Sequence, residues 1–303
     1  MIGDLFNLLL LQPTINLVAV ILQFYQGLHV PGALGFSIIT LTVLINLLVW
    51  PLRSRQIRTT RHTQTKMAEL KPKIDELKVQ HKDDKMAFNQ AQAALLKEHG
   101  VNPAAGCLPS LIPVLIIFPL YQVIFAFFSG ATGLYRINYF LYNKAMHLSS
   151  LPDTHFFLVN LSTKPSDFAK VGPLILLIPV LTAGMQFVLS RMMMVQPVKP
   201  YPSDSNKEKN EKASQQDQMA QMQSQMMVMM PIMIGVFAFQ FPIGLALYWN
   251  TLTILGMIQQ YRISGWGNAA ALLGKKPEAV KVISAPKSKV KSSKDTKVTI
   301  DRS

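Results

Sequence analysis

The sequence predicts an all-α polytopic membrane protein, with five transmembrane helices and a cytosolic helical hairpin. Half of the 303 residues are hydrophobic, and they cluster in long runs with few or no formal charges. A helix needs about 20 mostly apolar residues to cross the hydrocarbon core of a bilayer. Uncharged runs of this length are rare in soluble helical bundles. The five predicted spans are 34–52, 108–128, 171–190, 226–241 and 243–261.

The basic residues predict how the chain is oriented in the membrane. Eleven Lys and Arg lie in 53–97 and ten in 262–302, whereas four lie in 129–170 and none precedes position 53. Basic segments face the cytosol. We therefore expect the N-terminus and the 129–170 loop outside, and the 191–225 loop and the C-terminal tail inside.

Residues 1–29 are apolar but interrupted by amides and by a proline. This composition favours a helix lying on the outer face of the membrane, with a sixth span as the alternative. The segment lacks the basic start of a secretory signal, so we treat it as mature protein. At the other end, residues 263–303 are rich in Lys and Ser and are predicted to be a disordered cytosolic tail.

A helical hairpin is predicted over 56–99, between the first two spans. Apolar residues spaced by three, four and three form one helical stripe: Met67, Leu70, Ile74 and Leu77. Pro72 should kink or split this helix. Asp83 and Asp84 are candidate caps for the start of the second helix and Gly100 a candidate left-handed C-cap. The alternative is a solvated linker with transient helix.

The chain lacks the patterns of an enzyme. Its six histidines have no metal-ligand spacing, and neither a nucleotide-binding glycine loop nor a Ser/His/Asp set is present. Cys107 is the only cysteine, which excludes an intrachain disulfide. We therefore predict no enzymatic activity, no metal and no cofactor.

Uncharged polar residues recur inside the predicted spans. They are Thr42, Asn46, Gln122, Gln186 and Asn250. Hydrogen bonds between helices would explain each of them singly. Together they favour a shared hydrophilic groove, because a polar side chain in lipid needs a partner or water. Arg53 shares a helix face with Asn46, roughly 10 Å nearer the cytosol, and with Arg55 would mark the groove mouth.

Methionines are concentrated where the fourth span begins. Four of them are candidate contact residues: Met226, Met227, Met229 and Met230. Methionine is flexible and polarisable and suits surfaces that accept varied apolar partners. Packing against lipid or against other helices is the alternative.

Two distant segments resemble the YidC/Oxa/Alb family of membrane protein insertases. The first runs from Trp50-Pro51-Leu52 through the hairpin to Lys97-Glu98-His99-Gly100-Val101-Asn102-Pro103 and Gly106-Cys107-Leu108-Pro109. The second combines Met229-Met230-Pro231-Ile232-Met233 with Phe241-Pro242-Ile243-Gly244-Leu245-Ala246-Leu247-Tyr248-Trp249. The resemblance covers most of 30–262. The short outer loop resembles the forms without a large periplasmic domain.

The resemblance implies a five-transmembrane-helix insertase core in a bacterial cytoplasmic membrane. Polar segments of nascent membrane proteins would cross through a groove open to the cytosol and to lipid, without nucleotide hydrolysis by the insertase. The hairpin stripe and the methionines would contact these clients. The ribosome and a Sec-type translocon are further candidate partners, whereas DNA is not.

One position departs from the family pattern. The family typically carries an arginine inside the groove on the first span, and the matching residue here is Asn46. Attraction of acidic clients can therefore not be assigned to this residue, and Arg53 or Arg55 would substitute only in part. The alternative functions are a small-solute channel or transporter, and an inactive assembly scaffold.

Overall fold

The computed structural model describes residues 2–81, 84–101, 112–194 and 229–275. Three helices are long and apolar enough to cross a membrane: Asp4–Gly27, Ala33–Met67 and Pro173–Met193. Two shorter apolar helices are Phe118–Phe128 and Met229–Gln240. The predicted class, an all-α polytopic membrane protein, is confirmed. The number of spans stays a prediction.

The N-terminal segment is helical almost throughout. It consists of α1 (Ile2–Phe6), a π-helical turn (Asn7–Leu11) and α2 (Gln12–Gly27). Its length and apolarity suit a span, the alternative to the predicted interfacial helix. Its amides bind the 129–170 loop, since Asn16 donates to the Phe140 carbonyl at 2.9 Å and accepts from the Tyr142 amide at 2.8 Å. The polar interruptions in this segment are thus tertiary contacts.

The first predicted span and the first hairpin helix are one element. Helix α3 (Ala33–Gln80) has 48 residues and continues through Pro51 and Pro72. Pro72 does not split the helix, and a kink there, the other predicted outcome, stays a prediction. An internal proline removes one backbone hydrogen bond, and here the residues on either side of Pro72, Leu70 and Ile74, are held by packing against the next helix.

The predicted end signals of the second hairpin helix are confirmed. Helix α4 (Lys85–Glu98) begins after Asp84, whose carboxylate accepts from the amides of Met86 and Ala87, both at 2.9 Å. It ends at Gly100, which has φ +67°, and the Val101 amide donates to the Leu96 carbonyl at 2.8 Å. This is the hydrogen-bond pattern of a glycine C-cap.

The apolar stripe of α3 forms the core of the hairpin. Leu70 and Ile74 are buried against α4, with Met67 and Leu77 partly buried beside them. The α4 side of this core consists of Phe88, Leu96 and Val101. Leu70 and Ile74 are therefore buried in this structure, and their role as client contacts stays a prediction. Their side chains hold the hairpin closed.

Helix α5 (Ile112–Phe128) is followed at once by α6 (Gly130–Phe140), which folds back against it. The approach is close, because a Cβ on Gly133 would overlap the Ala126 carbonyl. Ile137 is buried in the same contact. Part of the predicted second span, 108–111, lies outside the described residues, as does the adjoining 102–107 motif.

The rest of the 129–170 loop contains more structure than predicted. A small antiparallel hairpin pairs β1 (His155–Phe156) with β2 (Val159–Asn160). The Phe156 ring packs on Phe36 at 5.2 Å between ring centroids and occupies the space above Gly35. The hairpin turn is apolar: Phe157 has φ +50° and Leu158 is 99% exposed. A short helix, α7 (Phe168–Val171), closes the loop.

Three helices complete the bundle: α8 (Leu177–Met193), α9 (Met229–Gln240) and α10 (Ile243–Ser264). A 3-10 helix, Gly267–Leu273, then packs against α8. The tail prediction is therefore wrong for its first residues, whose small and apolar side chains pack on the bundle. Residues 276–303, and 195–228 of the cytosolic-loop region, lie outside the described part of the chain.

Candidate functional site

Polar side chains of the bundle meet along helix α10, because this helix packs against both α3 and α8. Thr253, Gln259 and Gln260 on this helix are buried. Buried amides and hydroxyls cost free energy unless they are paired. Their partners here come largely from the two neighbouring helices.

Arg53 reaches back along α3 to Asn46. Its Nη1 donates to Asn46 Oδ1 at 2.6 Å, and Asn46 Nδ2 donates to the Thr42 carbonyl at 3.1 Å. Thr42 and Asn46 are buried, whereas Arg55 is exposed. The prediction that Thr42, Asn46 and Arg53 share a face is confirmed. The expected position of the Arg53 charge is corrected. The long side chain places the guanidinium beside Asn46, farther into the bundle than the predicted groove mouth.

The environment of this guanidinium is formed by α10. Gly256 is next to it, since a Cβ at this position would lie 3.8 Å from Arg53 Nη2, an ordinary van der Waals distance. The buried Tyr248 is within electrostatic reach of the same group. The cation of α3 therefore faces α10, at a place where α10 has no side chain.

A second polar contact joins α8 to α10. Thr253 Oγ1 donates to the Trp249 carbonyl at 2.8 Å and lies 3.3 Å from Gln186 Oε1. One turn away, the Asn250 Oδ1 is buried without a hydrogen-bond partner. Gln186 and Asn250 thus lie on facing helices, as the predicted polar groove requires.

Asn250 also lines a cavity of about 350 Å³ below the β-hairpin. The remaining lining is apolar and comes from the hairpin, α8 and α10, with Phe156, Ile178 and Leu247 among its residues. Within the described part of the chain, the only polar residue of this lining is thus the one whose side-chain oxygen has no hydrogen-bond partner. The β-hairpin therefore covers one end of the α8–α10 contact.

Gln122 is separate from the other predicted groove residues. Its side-chain oxygen accepts from Arg136 Nη2 on α6. Within the described ranges, no hydrogen bond joins Gln122 to Asn46, Gln186 or Asn250. The sequence could not indicate this pairing, because the fold-back of α6 was not predicted.

Two glutamines that the sequence reasoning missed fix α10 in place. Gln259 Nε2 donates to the Trp50 carbonyl at 2.9 Å and to Ser54 Oγ at 2.8 Å. Gln260 Nε2 donates to the Met192 carbonyl at 3.2 Å. Consecutive amides at the end of an apolar run were the available signal, since such residues join helices inside membranes.

The methionines of α9 are accessible. Met229 and Met230 are exposed, as are Ile232 and Met233 beside them. Met226 and Met227 lie outside the described residues. The exposed face of α9 is thus apolar and flexible, as lipid contact and client contact would both require.

The sequence around the site has no negative charge. Neither Asp nor Glu occurs in 5–68, 168–203 or 218–277. The described ion pairs, Lys66–Glu69 and Asp153–His155, lie elsewhere in the chain. An amide thus holds the Arg53 guanidinium in place, and among the described residues no carboxylate pairs with it. In a region of low dielectric such a cation attracts acidic groups strongly.

The described site, from α3 to α10, falls within one family match. The family model described as 60Kd inner membrane protein matches residues 25–269. The chain belongs to this family. It is the YidC/Oxa/Alb insertase family indicated by the sequence motifs, and the match includes the hairpin and both polar contacts of α10.

Several curated YidC/Oxa/Alb relatives carry the name membrane protein insertase YidC. Those of Rickettsia conorii and Rickettsia felis are both 31% identical to this chain over 244 residues, and that of Rickettsia canadensis is 32% identical over the same length. Each alignment covers 80% of this chain and 37% of the relative. The chain thus spans little more than a third of their length.

Proposed function

We propose that this YidC/Oxa/Alb family member is a membrane protein insertase and chaperone. Its clients are nascent membrane proteins, whose short polar segments cross beside α10 while their apolar segments enter the lipid. The observation that carries the proposal is the Arg53 guanidinium, held by Asn46 and facing α10 in a region without carboxylates. The names of the relatives support the same activity.

Polar groups along α10 would lower the barrier to a crossing segment. Each unsatisfied backbone group in lipid costs several kcal/mol. Hydrogen-bonding atoms take the place of hydrocarbon at Gln186, Thr253 and Asn250. The Asn250 Oδ1 atom has no partner within the described chain and can accept a hydrogen bond from a client. Arg53 adds attraction for acidic side chains, which strengthens as a client leaves water.

The cytosolic hairpin would receive clients first. Its apolar stripe is buried in this structure, and Val79 and Met86 near its tip are exposed apolar residues. On α9, Met229 and Met230 would then contact apolar client segments. The ribosome and a Sec-type translocon are proposed partners on this cytosolic side.

The proposed location is a bacterial cytoplasmic membrane, with the N-terminus outside and the C-terminus in the cytosol. Insertion would use the free energy of transferring apolar client segments into lipid. We propose that this chain acts without nucleotide hydrolysis, a catalytic residue or a cofactor.

Reconstitution tests the role of the partly buried Arg53 cation. The protein is placed in liposomes, and insertion of a small client with an acidic translocated segment is measured by protease protection. Arg53→Gln should reduce insertion about tenfold, as expected for the loss of a charge-assisted contact of about 1.4 kcal/mol. The matched control is Arg55→Gln, which removes the same charge from an exposed position two residues away.

The client supplies a second control. Replacing its acidic residues by the corresponding amides should abolish the difference between Arg53→Gln and the unmodified protein. Equal insertion by the unmodified protein, Arg53→Gln and Arg55→Gln with the acidic client would contradict the proposal.

A further inference from the structure

Buried polar atoms without partners are concentrated at the end of the bundle where α3, α8, α10 and the 3-10 helix meet. They are Arg61 Nε, Gln64 Oε1, Arg191 Nε, Ser264 Oγ and Asn268 Oδ1. A buried polar group without a partner is unfavourable, and more so if it is charged. Five such atoms on neighbouring segments form one set of hydrogen-bonding groups that the described protein groups leave unpaired.

Hydrogen bonds and close approaches link these residues into one region. Arg61 Nη2 donates to the Ser264 carbonyl at 3.2 Å, and Gln64 follows Arg61 by three residues on the same helix face. Close by in sequence, Gly267 lies against the Met192 carbonyl, next to Arg191. The turn from Ser264 to Asn268 therefore connects the two arginines.

The region contains two cations and no described anion. The sequence has no Asp or Glu in 5–68, 168–203 or 218–277, which contain all five residues. Arg191 places its guanidinium carbon 5.6 Å from the centre of the Phe187 ring, which leaves its Nε unpaired. Both arginines thus require an acceptor that the described chain does not supply.

The unpaired atoms define which chemical groups a ligand at this site would need. Two Nε–H groups and the Ser264 hydroxyl can donate, which a phosphate oxygen satisfies well. The oxygens of Gln64 and Asn268 need donors, which hydroxyl groups on the same molecule can provide. Tyr261 and Trp266, whose ring centroids are 5.3 Å apart, flank the site. Such aromatic residues are enriched at membrane–water interfaces.

We propose that this region is a binding site for a phospholipid headgroup that combines a phosphate with hydroxyl groups, as phosphatidylglycerol does. The phosphate lies between Arg61 and Arg191, with Ser264 donating to it. The headgroup hydroxyls donate to Gln64 and Asn268. The bound lipid places its single negative charge between the two arginines and joins α3, α8 and the 3-10 helix. The site is independent of the proposed insertion of clients.

Native mass spectrometry of the full chain tests this site, because it counts retained lipids directly. The protein is taken from nanodiscs of equal phosphatidylglycerol and phosphatidylcholine. We expect about tenfold preferential retention of phosphatidylglycerol, equivalent to about 1.4 kcal/mol. Arg61→Gln with Arg191→Gln should abolish the preference. The control pair, Arg58→Gln with Arg262→Gln, removes two exposed arginines and should keep it.

Two further measurements keep the proposal falsifiable. Ser264→Ala removes one hydroxyl while leaving both charges, and it should lower retention several-fold even if the double arginine variant fails to fold. Millimolar inorganic phosphate should not displace the lipid. The same loss of preference in the control pair as in the site pair would overturn the assignment. Complete displacement by inorganic phosphate would also overturn it, in favour of a soluble phosphate ligand.

Discussion

The pair of Asn46 and Arg53 shows how a positive charge can reach one position of a helix from a residue about two turns away. The two residues are seven apart on α3, so their side chains share a face, and Arg53 Nη1 lies 2.6 Å from Asn46 Oδ1. The sequence predicted that shared face from helical spacing. It did not predict how far inward the guanidinium lies, because that depends on the rotamer and on how Gly256 of α10 packs beside it.

A charge exchange between these residues is therefore expected to preserve function. Asn46→Leu removes the acceptor that holds Arg53 and should lower insertion of an acidic client by about as much as Arg53→Gln, roughly tenfold. Combining Asn46→Arg with Arg53→Gln should restore most of it. Insertion is measured by protease protection in liposomes. No recovery in the double variant would show that the position of the charge matters more than its presence.

At the scale of elements, the helical hairpin of α3 and α4 was the most predictable part of the fold. Its caps are local signals: Asp84 binds two amides of its own helix and Gly100 adopts positive φ. The same local reasoning left two outcomes open for Pro72, and the continuous helix excludes the split, because contacts with α4 hold the residues on either side. It also did not predict that α6 folds back on α5. That arrangement depends on the close contact of Gly133 with α5, which no local sequence pattern indicates.

Asp84→Ala should destabilise α4. The side chain caps the helix through the amides of Met86 and Ala87, and losing such a cap costs about 0.5–2 kcal/mol. Hydrogen exchange of the α4 amides should accelerate, while that of α10 stays unchanged. Asp75→Ala removes an exposed carboxylate from α3 and serves as the control. Unaltered exchange in Asp84→Ala would mean that packing alone maintains the helix.

Gly35→Ala should loosen the contact between α3 and the β-hairpin. The added methyl group would overlap the Phe156 ring, and overpacking of this kind costs about 1–3 kcal/mol. The thermal midpoint in detergent should fall. Gly184→Ala is the matched control, because nothing lies within 4 Å of a Cβ placed there. A drop of equal size in both variants would exclude the ring contact as the cause.

At the scale of the whole molecule, the apolar runs and the distribution of basic residues predict more than any single residue does. They predict the membrane class, which the helices confirm, and an orientation, which stays a prediction. The tertiary pairings along α10 were only partly accessible. Polar residues in spans indicate that partners exist, but the partner of each is decided by which helices pack together.

The orientation can be measured by labelling single cysteines in a Cys107→Ser background. Leu158→Cys, in the exposed turn of the β-hairpin, should react with a membrane-impermeant maleimide in intact cells. Lys73→Cys, on α3 beyond the bundle, should react only after permeabilisation. Leu120→Cys is buried and should stay unlabelled in both conditions. Reversed labelling of the first two variants would invert the proposed topology.

The uninterrupted course of α3 gives the molecule a lever. From Pro51 to Gln80 the helix extends about 44 Å, at roughly 1.5 Å per residue. A change of about 10° in tilt at Pro51, where the helix lacks one hydrogen bond, would displace the far end by about 8 Å. Small adjustments among the helices of the bundle would thereby become large displacements of the hairpin, with its internal packing intact.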